Sequence, residues 1–177
     1  SAVMVIDAAK GVENQTRKLF KVCVMRHIPI FTFINKLDRD AKNPFELLSQ
    51  IEDELGIATC PMNWPIGNGV DFKGVYDRKT KTVLSYIPNG GQREVEKVEA
   101  TLLDPSMDRL IGEANHAQLA EDIELLDGAS DSLDPERVAR GEQSPVYFGS
   151  ALNNFGVEPF LEGFLKLTSP PLPRVAD

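Results

Sequence analysis

Ile30-Phe31-Thr32-Phe33-Ile34-Asn35-Lys36-Leu37-Asp38 is the stretch whose reading decides the fold. Four of its first five residues are apolar and strongly strand-forming, and a polar tetrapeptide follows at once. Pro29 stands in front and a helical pattern behind. An apolar run this short, bounded in this way, predicts a buried parallel strand. Asn35, Lys36 and Asp38 then fall just outside the carboxyl end of that strand, where ligands bind in open α/β sheets.

Asn-Lys-x-Asp in that position has a definite chemical use. Guanine presents two adjacent donors, N1–H and the exocyclic amine, and an ionised carboxylate such as Asp38 accepts both. Adenine lacks that arrangement and would leave Asp38 desolvated and unpaired. A site built on such bonds rejects the wrong analogue by roughly 10⁴-fold. Asn35 either ties the loop to its neighbours or reaches the N7/O6 edge, and Lys36 can lay its aliphatic stem across the base. A matching half lies downstream in Val146-Tyr147-Phe148-Gly149-Ser150-Ala151-Leu152. It reads as another short strand ending in Gly-Ser-Ala. There a backbone N–H near Ala151 can donate to guanine O6, Leu152 can pack on the base, and Ser150 completes the loop. For the two motifs to act together, loop tips far apart in the chain must meet at neighbouring strand ends.

Outward from this stretch the pattern is strand, helix, strand, helix. Residues 2–7 form an apolar first strand predicted to be buried on both faces. A helical pattern runs from about Glu13 to His27, with Glu13 near its start, where negative charge is favoured. After the strand at 30–35, Pro44 fits the first turn of a helix over 44–56 that buries Phe45, Leu48, Ile51 and Leu55 and ends at Gly56. This alternation predicts a parallel sheet. From Pro61 the texture changes to Pro, Gly and β-branched residues. Two antiparallel strands are predicted at 72–77 and 81–87, a loop at Asn89-Gly90-Gly91, a third strand at 94–101, one helix over 105–127 and a short one near 134–140. The α/β pattern resumes at 146 and closes with a helix over 157–168.

The expected organisation is therefore a three-stranded partial parallel sheet with flanking helices from 1–59 and 146–168. It carries an α+β insertion at 60–145. Pro-rich 169–177 is read as a stiff interdomain linker rather than a polyproline ligand.

At 177 residues and 42% hydrophobic the chain can bury a substantial core. Because Ser1 leads straight into a strand, the expectation is a piece of a longer protein. No run is long enough to span a membrane and no signal peptide is present, so a cytoplasmic location is expected. The net charge of −8 is concentrated at 60–145, which holds nine Lys/Arg against sixteen Asp/Glu. Such a surface repels phosphate backbones, which argues against direct RNA binding there and for a protein partner. Cys23, Cys60, His27 and His116 lack metal-ligand spacing. Gly69 and Gly74 are spaced like the ends of a phosphate loop, but Val75 stands where Lys is required. Asp71-Phe72-Lys73-Gly74 matches a magnesium-switch pattern yet lies on the wrong side of Asn-Lys-x-Asp. Trp64 reads as a core anchor of the insertion. No Gly-rich phosphate cradle, magnesium-holding Ser/Thr or water-positioning residue is recognisable, and those parts supply most of phosphoryl-transfer catalysis.

Taken in order, the motifs resemble translational GTPases. They are Asp7-Ala8-Ala9-Lys10-Gly11-Val12-Glu13 with Thr16, then Asn35-Lys36-Leu37-Asp38-Arg39, then Pro65-Ile66-Gly67 with Phe72-Lys73-Gly74-Val75-Tyr76-Asp77, then Gly149-Ser150-Ala151-Leu152 and Pro170 with Pro173-Arg174. Thr16-Arg17-Lys18-Leu19, Asn63-Trp64-Pro65-Ile66-Gly67 and Asn153-Asn154-Phe155-Gly156-Val157 favour the release-factor branch over the elongation factor G type. The resemblance implies the second half of a GTP-binding domain. It implies GTP/GDP as ligand, with magnesium held in the intact protein by residues absent here. It also implies the ribosome and class I release factors as partners, with a ribosomal stalk protein as a possible contact of 60–145. Base reading carries over onto Asn35, Lys36, Asp38, Ser150, Ala151 and Leu152, where Leu152 replaces the Lys common in small GTPases. The stretch alone is not expected to hydrolyse GTP. The competing reading is a non-enzymatic acidic interaction module.

Overall fold

The computed structural model describes residues 1–89, 92–98 and 100–168, with the backbone alone over 86–89 and 92–98. It contains two four-stranded sheets. The first is parallel, in the order β1-β2-β8-β3, built from β1 (Ala2–Asp7), β2 (Ile30–Asn35), β8 (Gln143–Phe148) and β3 (Ala58–Pro61). The second is an antiparallel meander of β4 (Asn63–Ile66), β5 (Gly74–Asp77), β6 (Thr82–Asn89) and β7 (Gln92–Val98). Met62 alone separates β3 from β4, so the chain passes directly from one sheet to the other.

β2 is flanked on both sides, which is why its first five residues are all buried. Its alternating side chains serve two cores. Ile30 and Ile34 share one with Phe20 of α1 (Asn14–Met25) and with Leu47, Leu48 and Ile51 of α2 (Pro44–Leu55). Phe31 and Phe33 face α6 (Val157–Leu167), their rings 4.9 Å from Phe164 and 5.3 Å from Phe160 in edge-on geometry. On the same face as Ile30 and Ile34, buried Thr32 and Ser144 satisfy each other's hydroxyls at 2.8 Å. α2 starts as its sequence dictates. Asn43 accepts from the Phe45 N–H and Pro44 occupies the first turn, where a missing N–H costs nothing.

The α/β architecture with a parallel sheet and flanking helices is as expected, with four differences in detail. First, the parallel sheet has a fourth strand. β3, Ala-Thr-Cys-Pro, has no apolar run to announce it, and Cys60 and Pro61 pair with Pro145 and Val146. Second, β4 was also hidden, because two of its four residues are Asn63 and Pro65, yet all four are buried. Third, the helix predicted over 105–127 is two, α3 (Met107–Ile111) and α4 (Glu113–Ala129). They break at Gly112, the residue type least tolerated inside a helix after proline. Fourth, β1 is not buried on both faces: Val3 is 45% exposed and Val5 56%. They register with Phe31 and Phe33, but α6 covers only β2 and β8, leaving that face of the edge strand open. The short helix α5 (Pro135–Ala139) sends Val138 into the α6 side of the sheet. The predicted linker at 169–177 and the residues 90–91 of the predicted loop lie outside the described residues.

The two sheets share one core. Trp64 is fully buried, its ring 4.6 Å from Phe45 of α2 and 5.4 Å from Phe148 of β8. Its indole N–H donates to Asp122 Oδ2 of α4 at 2.8 Å. The residue read as an anchor of the insertion thus anchors it to the parallel sheet. Arg78 adds a polar tie, donating to the Pro61 carbonyl at 2.9 Å and to Asp127 of α4 at 2.9 Å.

Candidate functional site

β2 and β8 are neighbours in the sheet and end at the same level, Ile34 opposite Phe148. Their following loops therefore start side by side. Gly149 bridges them, its N–H donating to the Ile34 carbonyl at 3.0 Å and its carbonyl accepting from Leu37 N–H at 3.3 Å. A side chain at Gly149 would not fit: a Cβ there would lie 2.4 Å from the Phe155 carbonyl oxygen and 2.9 Å from Phe33 Cζ. This close approach is what the Gly of Gly-Ser-Ala serves.

The loop tips meet. The Ser150 hydroxyl donates to Asp38 Oδ1 at 2.6 Å across 112 positions of sequence. Ala151 N–H donates to Asn35 Oδ1 at 2.9 Å, and the same oxygen accepts from Lys36 N–H at 2.8 Å. Asn153 Nδ2 donates to Ser150 Oγ at 3.1 Å, so the buried hydroxyl is bonded on both sides. Leu37 turns inward, 1% exposed, and pins the loop to the core. Among the described residues none donates to Asp38 Oδ2, and Asp38 is only half-buried. Leu152, two residues after Ser150, is 81% exposed. A partly exposed carboxylate and an uncovered apolar side chain fit a flat heterocycle with two adjacent donors.

Asn35 takes one of its two expected roles, while Ala151 and Lys36 are engaged otherwise than their sequence suggests. Asn35 ties the loops together through its oxygen, one of the two roles open to it. The Ala151 N–H, which was to meet guanine O6, is directed to that oxygen, so a base oxygen would share it. Lys36 adopts φ 73° and its ammonium bonds Asp7 Oδ2 at 2.7 Å. That bond, more than any other influence, holds the Asp7 carboxyl below its ordinary value.

Asp7 is a participant that the Asn-Lys-x-Asp pattern alone does not reveal. Its signal was positional: it ends β1 opposite Asn35 at the end of β2. Gln50 of α2 also reaches this end of the sheet, its Oε1 accepting from Val12 N–H at 3.3 Å. The decoys are accounted for. Asp71 pairs with Lys73 at 2.9 Å and accepts from Asn115 at 3.0 Å, and Gly74 opens β5. Cys23 and Cys60 are free thiols, and burial raises the pKa of Cys60. Among the described residues no group of three or more His, Cys, Asp or Glu is placed to hold a metal ion. No helix there is long and apolar enough to cross a membrane.

Residues 1–170 match the family model of the elongation factor Tu GTP binding domain. The chain belongs to that family. Among individual members it is 56% identical to peptide chain release factor 3 of Symbiobacterium thermophilum over 177 residues, covering 99% of this chain and 34% of that protein. It is 53% identical to peptide chain release factor 3 of Gloeobacter violaceus over 178 residues, covering 100% of this chain and 34% of that protein. Against the same factor from Limosilactobacillus reuteri the identity is 48% over 171 residues, covering 97% and 33%. The chain thus spans about a third of the length of these relatives. Within this GTP-binding domain family, the paired loops at the ends of β2 and β8 are the candidate base site.

Proposed function

We propose that this chain supplies the guanine-reading part of a GTPase that acts in translation termination. The observation that carries the reading is the bond between Ser150 and Asp38, which joins two distant motifs at one end of the sheet and leaves the carboxylate partly exposed. Asp38 accepts the guanine N1–H and 2-amino group, while Ser150 holds one of its oxygens in place. Asn35 keeps the β8 loop at the height of the base, and Ala151 N–H is shared with O6. Leu152 covers one face of the purine. Lys36, held by Asp7, ties the β1 and β2 ends together beside the base. Phosphate and magnesium binding, and hydrolysis itself, are assigned to residues of the intact protein outside this stretch.

Similarity to peptide chain release factor 3 supports the termination role. In that role the intact protein uses GTP on the ribosome to release class I release factors. Competition of GTP against ITP for the intact protein tests the base reading. ITP lacks the 2-amino group, and losing one bond to a charged group should weaken binding about 10-fold. Equal affinity contradicts the assignment of Asp38.

A second role for 60–145 is favoured by α4. Glu113, Glu121, Glu124 and Asp127 are exposed along it, with Leu125 60% exposed among them. This acidic face is proposed to dock a protein, with a ribosomal stalk protein as the first candidate. Titration of labelled chain with purified stalk protein should perturb α4, and no perturbation leaves 60–145 as scaffold.

A further inference from the structure

We infer that Asn63 is a positioning residue of the base site and that the first hairpin of the antiparallel sheet is part of that site's support. The inference rests on the guanine reading above and adds residues that no base-reading motif contains.

β3 runs beside β8 only as far as Pro61 opposite Val146. Met62 N–H still donates to the Val146 carbonyl at 2.8 Å, and then the main chain leaves the sheet to enter β4. The next ladder position on β8 is Phe148. Its neighbour Gly149 bonds toward β2, so Phe148 N–H and C=O point to the side β3 has vacated. The Asn63 side chain takes that place. Its Oδ1 accepts from Phe148 N–H at 2.7 Å and its Nδ2 donates to the Phe148 carbonyl at 3.0 Å. The pairing also fixes which end of the carboxamide is oxygen. Asn63 is 3% exposed and Phe148 fully buried, so the Phe148 groups are shielded from bulk water and depend on the carboxamide. The carboxamide thus acts as one residue of missing strand, directly before Gly149, Ser150 and Ala151.

The other base-reading loop is held by the same hairpin. Gly69, in the turn between β4 and β5, donates its N–H to the Leu37 carbonyl at 3.0 Å. A Cβ at Gly69 would stand 2.9 Å from Asp40 Oδ1, on a backbone at φ 57°. A side chain there would press on the Asp40 carboxylate and strain a left-handed backbone position that glycine adopts freely. One end of the hairpin sets the β8 loop and the other sets the β2 loop, so the separation of Ser150 from Asp38 depends on both.

The test uses the intact protein and two variants, Asn63→Leu and Gly69→Ala, each checked for fold by far-ultraviolet circular dichroism. Dissociation constants for GDP and IDP are measured by competition. In the wild type GDP should bind more tightly than IDP. In each variant the GDP constant should rise about tenfold and the GDP/IDP preference should shrink, because a displaced loop weakens the bonds that read the 2-amino group. A lower melting temperature with the wild-type preference retained means that the hairpin only stabilises, and overturns the inference while leaving the guanine reading standing. No GDP preference in the wild type overturns that reading and this inference with it. If Asn63→Leu does not fold, Gly69→Ala decides alone.

Discussion

Ser150 shows how one hydroxyl can matter at the residue scale. It is fully buried, donates to Asp38 at 2.6 Å and accepts from Asn153 at 3.1 Å. Replacing it by Ala strips Asp38 of its described donor and leaves Asn153 without its acceptor there. Hydrogen bonds to charged groups contribute about 1.5–3 kcal/mol, so Ser150→Ala should lower unfolding free energy by roughly that amount in urea titrations. The carboxylate to which it bonds was legible from residue types alone, since Asn-Lys-x-Asp specifies donors and acceptors. The engagement of Lys36 was not. Its long side chain can reach several partners, and only the register that sets Asp7 beside Asn35 selects the one it bonds. Asp7→Ala should leave the fold intact and weaken GDP binding by the intact protein a few-fold, read by equilibrium competition. The cost is modest because the Lys36 side chain is 46% exposed and water screens the pair.

Among elements, those built on apolar periodicity matched their residues closely. β2 at 30–35, α2 from Pro44 and α6 from Val157 all begin where predicted. β3 and β4 were illegible because their burial comes from tertiary position, not local pattern. Asn63 sits in a strand because it completes the β8 ladder, and Trp64 because it fills the joint between sheets. α3 and α4 are clipped by His116, whose Nδ1 meets the Asp108 carboxylate at 2.7 Å and whose Nε2 meets the Leu102 carbonyl at 2.6 Å. Both partners only accept, so both ring nitrogens donate and the imidazole is held protonated, its pKa raised above 6.5 chiefly by Asp108. A raised folded value means the clip's contribution is complete below the unfolded pKa of about 6.5 and is lost as pH rises through the folded value. Hydrogen-exchange protection factors in α3, which remove the intrinsic rise of amide exchange with pH, should accordingly fall as pH rises through that folded value. His116→Ala should abolish that fall in protection, and an unchanged protection profile would contradict the clip.

For the molecule as a whole, the sheet of β1, β2, β8 and β3 leaves β1 as an edge strand with apolar side chains. Val3 and Val5 of β1 and Leu19 of α1, which line one groove, are each at least 45% exposed. An open strand edge with apolar side chains invites pairing with another copy. Light scattering of these 177 residues should show particle size growing with concentration, and Val5→Lys should suppress it; a constant monomeric size contradicts the prediction. The other end of the sheet carries the central claim, that Asp38 reads the guanine amine. Its most direct test is Asp38→Asn in the intact protein, with guanine and xanthine nucleotides in competition. An amide offers the donor that the xanthine 2-oxo group accepts, so the variant should lose roughly 10²-fold or more in GDP affinity and bind XDP instead. Retained preference for GDP over XDP in the folded variant would contradict the account.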